Sequence, residues 1–202
     1  MAAKKAAIGF SPHSGWAAMV VIGGTVSAPT LLGRSRVALM DEQDPLSKQP
    51  YHAVEFMCSE EATGRLDGYF SVATGMARAS IHGQAEELKR RGISLSSVGI
   101  LESSGRKQIS LSSILASHAL IHGADGDHFR NALAGAAEQE RLQVSRIPAR
   151  DIDACAAERL GQPIKRLLDA VNELGRGVGP PWGADQKKAA LLAWSLLADR
   201  GS

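Results

Sequence analysis

The sequence is poor in the features that usually announce a function. Its 202 residues include only two cysteines, Cys58 and Cys155, which lie far apart and form no CxxC or metal-ligand pair. That argues against a disulfide framework and for free thiols in a reducing compartment, so a cytoplasmic location is expected. Charge of one sign is scarce as well: 23 Lys and Arg against 21 Asp and Glu leave a formal net charge of +2, so the surface as a whole is not built to attract polyanions. No run reaches the roughly 18 apolar residues that a membrane-spanning helix needs. Lys4, Lys5, the apolar run 16–22 and Val26-Ser27-Ala28 imitate a secretory leader, but the polar Ser11-Pro12-His13-Ser14 stretch interrupts it, and no leader is expected. No Walker loop, GxSxG elbow, HExxH or GxGxxG occurs, which argues against the common nucleotide-binding and hydrolase classes.

The remaining composition, 44% hydrophobic and 22% charged, is that of a folding globular chain, and its length suits a single domain over residues 1–202 with a three-layer core. Basic clusters at Lys89-Arg90-Arg91, at Arg141, Arg146 and Arg150, and at Lys187-Lys188 read first as solvated helix ends and faces.

Short apolar runs punctuated by turn residues predict three strands, over residues 6–10, 16–22 and 31–40. In the third, Leu32, Arg34 and Arg36 share one face, as expected of a partly exposed antiparallel strand. Apolar residues at helical spacing then predict a long helix from Ser59 to Arg91, with Ser59 as its cap. A buried strand over 98–101 follows, then a helix over 110–141, a short strand over 143–147, and helices over 151–174 and 185–198. A Gly/Pro-rich loop, 175–183, separates the last two. The order βββαβαβαα describes an α/β domain with a mixed five-stranded sheet and helices on both faces, the order of the ribonuclease H-like fold.

The segment Ile8-Gly9-Phe10-Ser11-Pro12-His13-Ser14-Gly15-Trp16 resembles the first strand and turn of RuvC-type resolvases, where the pattern I-G-I-D-P-G runs into small residues and glycine. Ser11 stands at that family's acidic position. Glu102, ending Gly99-Ile100-Leu101-Glu102, matches the second carboxylate. Asp185-Gln186-Lys187-Lys188-Ala189-Ala190-Leu191 resembles the closing D-x-x-D-A-L-A helix, with Asp185 at the first acidic position and Lys188 replacing the second. The resemblance implies a nucleic-acid partner, a homodimer, Mg²⁺ or Mn²⁺ as cofactor, and phosphodiester hydrolysis by Glu102 and Asp185 with Ser11 nearby. Candidate substrate contacts are His13, which can equally just shape the first turn, Lys188, and Trp182 of the 175–183 loop, which can stack on a base or sugar or plug the loop against the core. Two-metal hydrolysis needs several carboxylates converging on ions about 4 Å apart, and here two of the acids are missing. A catalytically silent binding module on the same fold is therefore the alternative, using the basic clusters and Trp182.

A second constellation stands outside the resemblance. His118, His122 and Asp125 fall in one narrow arc of the 110–141 helix, within its apolar stripe. Histidines at i and i+4 can clasp one ion with a carboxylate as third ligand; equally, the three can satisfy one another and the backbone. Gly123 and Gly126 in the same stretch would allow close backbone approach. Asp185 has a plain alternative as the N-cap of the last helix.

Overall fold

The computed structural model describes residues 4–103 and 109–198. Five strands make one sheet in the order β3-β2-β1-β4-β5. β1 (Lys4–His13), β2 (Trp16–Gly24) and β3 (Pro29–Ala38) form the expected antiparallel meander, and β4 (Ile93–Glu102) and β5 (Gln143–Pro148) join it in parallel. β1, β2, β4 and β5 are longer than the apolar runs alone predict, and β3 keeps the expected ten residues but starts two earlier. Ladder hydrogen bonds extend pairing past the buried residues into Lys4, Lys5 and His13.

Strict alternation assigns side chains to two cores. Ala6, Ile8, Phe10, Val98 and Ile100 face α2 (Ser59–Arg90) and α4 (His118–Gln139). Ala7 and Leu101 face the opposite layer of α5 (Ile152–Leu160), α6 (Ile164–Arg176) and α7 (Ala184–Leu196). Fully buried side chains such as Phe10 and Phe129 stabilise by roughly 1.5–3 kcal/mol each on area grounds. α7 lies directly on the sheet because β1 and β4 present glycine to it. A Cβ on Gly9 would sit 2.0 Å from the Ala189 carbonyl oxygen, and one on Gly99 2.5 Å from Leu192 Cγ. This close approach carries the first turn of α7 to the end of β1.

Several local expectations change. The helix expected over 110–141 is two, α3 (Leu111–Leu115) and α4, broken where Ser117 is extended (φ −142°, ψ 112°). The break lets Leu111 and Leu115 pack on a small core of Val54, Ala62 and Leu66 while α4 lies on the sheet. The helix over 151–174 is divided into α5 and α6 at Gly161 and Pro163, a residue a helix interior rejects. Cys58, not Ser59, caps α2, and Gly183, not Asp185, caps α7. The polar connection after β3 contains a 3₁₀ turn, Pro45–Lys48, and the short helix α1 (Pro50–Ala53). Both cysteines are free. Among the described residues no helix is long and apolar enough to cross a membrane.

Candidate functional site

The expected site residues divide between the two faces of the sheet. In β1 the odd positions Ser11 and His13 point to the α7 side. Asp185, in the first turn of α7, meets both: the Ser11 hydroxyl donates to Asp185 Oδ1 at 2.9 Å, and His13 Nε2 lies 2.9 Å from the same oxygen. Serine and histidine thus converge on the acid without a Ser–His bond between them, so the trio is not a nucleophile–base relay. Lys188, one turn further along α7, is exposed.

Around Asp185 the α7 side opens into a cavity of about 510 Å³ lined by Trp16, Arg34, Arg36, Pro181, Asp185 and Gln186. His13 stacks on Trp16 with ring centroids 4.4 Å apart, and the Arg36 guanidinium lies 4.5 Å from the Trp16 centroid. Arg34 is committed to the loop before α7, donating to the carbonyls of Val178 (2.6 Å), Pro180 (3.2 Å) and Pro181. Of the two roles open to Trp182, the structure shows the loop plug: its indole donates to the Val171 carbonyl at 3.1 Å and its ring covers Gly175, where a Cβ would meet it at 2.1 Å. Trp182 plugs the loop against the α6–α7 core; the aromatic in the cavity is Trp16.

Glu102 lies elsewhere. Two positions beyond Ile100 in β4, it points to the α2/α4 side, opposite Ser11 and Asp185, and is 6% exposed. There it forms an ion pair with Arg146 of β5, whose Nη1 also donates to Asn131 Oδ1 of α4 at 3.0 Å. Arg130 of α4, held by the Leu101 carbonyl at 3.2 Å, adds a second cation beside it. Burial lowers the Arg130 pKa, and the carboxylates of Asp127 and Glu102 oppose that shift. Arg146 therefore leaves the basic surface cluster in which the sequence placed it.

These residues do not fit a pair of Mg²⁺ or Mn²⁺ ions. Ser11 brings no charge, Lys188 brings the wrong one, and Glu102 is already neutralised by a guanidinium on the other face. Among the described residues the only set of three or more His, Cys, Asp or Glu side chains close enough to share an ion contains neither Glu102 nor Asp185.

That set is His52, His118 and His122, with one ring nitrogen of each within 4.8 Å of the others. His118 and His122 stand one turn apart at the start of α4, their Nε2 atoms 3.1 Å apart. His52 reaches them from α1, its ring centroid 5.2 Å from that of His118 and 4.5 Å from that of His122. Asp125 is buried and does not face the pair as a third ligand. Its Oδ2 lies 2.5 Å from His52 Nδ1 and its Oδ1 accepts the Tyr51 backbone N–H at 2.7 Å. Burial, then Asp125 and Asp127, raise the Tyr51 pKa. Gly123 faces open space and Gly126 only the flexible end of Arg130, so neither serves the close approach expected of it.

No protein-family model and no curated protein matches the chain. Solved structures do. Sheet order, helices on both faces and the position of α7 define a ribonuclease H-like fold, and the likeness is to RuvC structures. A structure described as T. thermophilus RuvC in complex with Holliday junction substrate superposes with a TM-score of 0.53 at 15% identity, over 96% of this chain and 93% of that one. A Thermus thermophilus RuvC structure superposes with a TM-score of 0.51 at 14% identity, over the same shares. The chain has the RuvC-type fold.

Proposed function

We propose that this chain is a nucleic-acid-binding protein on a RuvC-type fold that does not cut by the two-metal route. The observation that carries the reading is the Glu102–Arg146 ion pair. A carboxylate paired with a guanidinium on the α2/α4 side lies across the sheet from Asp185, which disfavours a cation shared between them. What remains at the end of β1 is a recognition surface. His13, Trp16 and Arg36 form a stacked cationic and aromatic edge, and Gln186 supplies a hydrogen-bonding group beside one half-exposed carboxylate that buried Ser11 holds. Cations and aromatic faces of this kind suit phosphate backbones and unpaired bases. The likeness to a RuvC solved with a Holliday junction supports branched DNA as the first ligand to try.

The test is fluorescence anisotropy with a four-way junction, a duplex and a single strand at 50 and 200 mM salt. Binding should weaken steeply with salt, Trp16→Ala with Arg36→Ala should weaken it at least tenfold, and Glu102→Gln should leave it unchanged. Cleavage of the junction in Mg²⁺ or Mn²⁺, lost in Asp185→Asn, would overturn the non-cutting reading. Salt-independent or undetectable binding would overturn the nucleic-acid reading.

A further inference from the structure

We propose that His52, His118 and His122 bind a transition-metal dication of the zinc type, with Asp125 as the carboxylate that orients His52. The site is distinct from the Asp185 cavity and does not depend on the nucleic-acid reading.

The donor set comes first. Three neutral imidazoles favour zinc, copper, nickel or cobalt dications, whereas Mg²⁺ and Ca²⁺ prefer oxygen ligands. The spacing agrees. A tetrahedral ion with metal–nitrogen bonds of about 2.0–2.1 Å sets neighbouring nitrogens roughly 3.3–3.4 Å apart, and the Nε2 atoms of His118 and His122 are 3.1 Å apart. Small side-chain rotations would suffice to seat an ion between them and His52. Three protein ligands would leave one position for water, the arrangement of an open rather than a closed site.

The second observation is Asp125, whose side chain is 3% exposed. A carboxylate accepts, so the 2.5 Å contact puts the proton on His52 Nδ1 and leaves Nε2 as the nitrogen that His52 has to offer. A metal-ligating histidine typically donates its other ring N–H to a carboxylate or carbonyl in this way. Asp125 is in turn fixed by the Tyr51 backbone N–H, so the acid holds both α1 and the imidazole in place. His118 and His122 are exposed and His52 is half-buried, which gives an ion a path from solvent. Bound metal would tie the 41–58 connection to α4, joining segments that are otherwise remote in sequence. A plain His118–His122 hydrogen bond accounts for two of the three rings but not for the approach of His52 backed by a buried acid.

The experiment is calorimetric titration of the chelator-treated full chain with Zn²⁺, followed by Co²⁺ titration read as visible absorption. One equivalent of Zn²⁺ should bind, Co²⁺ should give the d–d bands of a low-coordinate nitrogen site, and Zn²⁺ should raise the melting temperature. The double variant His118→Ala/His122→Ala changes two exposed side chains, so it should keep the wild-type circular dichroism and melting temperature in chelator while losing at least a hundredfold in Zn²⁺ affinity. Asp125→Asn should keep the stoichiometry and lose 10- to 100-fold in affinity. Absence of stoichiometric binding, or binding that the double variant retains at wild-type affinity, would overturn the proposal. Either result is obtained without nucleic acid and leaves the binding reading of the Asp185 cavity untouched.

Discussion

Glu102 and Asp125 are both buried carboxylates with a basic partner, yet the two partners leave opposite possibilities around them. Arg146 meets Glu102 with a permanent cation that has donors only, and Glu102 Oε2 and Arg146 Nη2 are buried without a hydrogen-bond partner. His52 meets Asp125 with a ring that spends one nitrogen on the acid and keeps a second lone pair. The first arrangement neutralises a carboxylate; the second uses one to present a ligand. A buried acid is therefore not in itself evidence for a site, and the partner's remaining valence has to be read.

The comparison breaks most sharply at Arg146. Replacing it with Met removes the ion-pair partner of Glu102, which is 6% exposed, and leaves only Arg130 as a cation nearby; removing one member of a buried pair typically costs about 3–5 kcal/mol. Urea denaturation should show that loss, and the double variant Glu102→Gln/Arg146→Met should recover most of it. A loss below about 1 kcal/mol in the single variant would mean that the guanidinium is not what neutralises Glu102, and the carboxylate would be free for a cation after all.

Asp125→Asn sharpens the other half. Asparagine can still accept the Tyr51 N–H through its oxygen, but its amide nitrogen cannot accept from His52 Nδ1. With metal held off by chelator, the lost charge-assisted bond should cost about 1.5–3 kcal/mol in thermal denaturation. Wild-type stability would show that Asp125 does not hold His52 in the folded protein.

The fold was largely legible in the residues, because its signals are local. Turn residues bounded the meander, helical spacing marked α2 and α4, and Gly/Pro-rich 175–183 announced the start of α7. The proximity of Ser11 to Asp185 also followed from the resemblance; the contact of His13 with Asp185 did not. Failures came where the deciding contact is long-range. That Glu102 points away from Asp185 was in principle countable, since it shares parity with Ile100 and not with Leu101. Its neutralisation by Arg146, however, depends on the β4–β5 register, which no local pattern fixes. His52 was missed for a similar reason. It follows a polar connection that carries no periodicity, and only tertiary packing of α1 on α4 brings it to His118. Trp16 read as an ordinary strand residue because its value depends on Arg36, a cation on the neighbouring strand.

His128 is a further case, a buried histidine on α4 with no carboxylate bonded to it. Its ring sits edge-on to Tyr51, Phe70 and Phe129, and Nε2 has no hydrogen-bond partner among the described residues. Burial lowers its pKa; a backbone hydrogen bond at Tyr69 and the charge of Asp125 oppose that shift without overcoming it. The fold therefore favours the neutral ring, while the unfolded chain takes up a proton near pH 6.5. Below that pH the unfolded state binds more protons, so stability falls as pH drops through about 6.5 toward the lowered folded value, and His128 contributes no slope above it. His128→Phe should remove this part of the acid destabilisation, which is at most about 1.4 kcal/mol per pH unit below about pH 6.5. The comparison is wild type against variant in chelator, since His52, His118 and His122 are present in both and cancel. Parallel stability curves over that range would mean that His128 accepts a proton without penalty in the folded state, and that the ring at this depth is better solvated than its burial indicates.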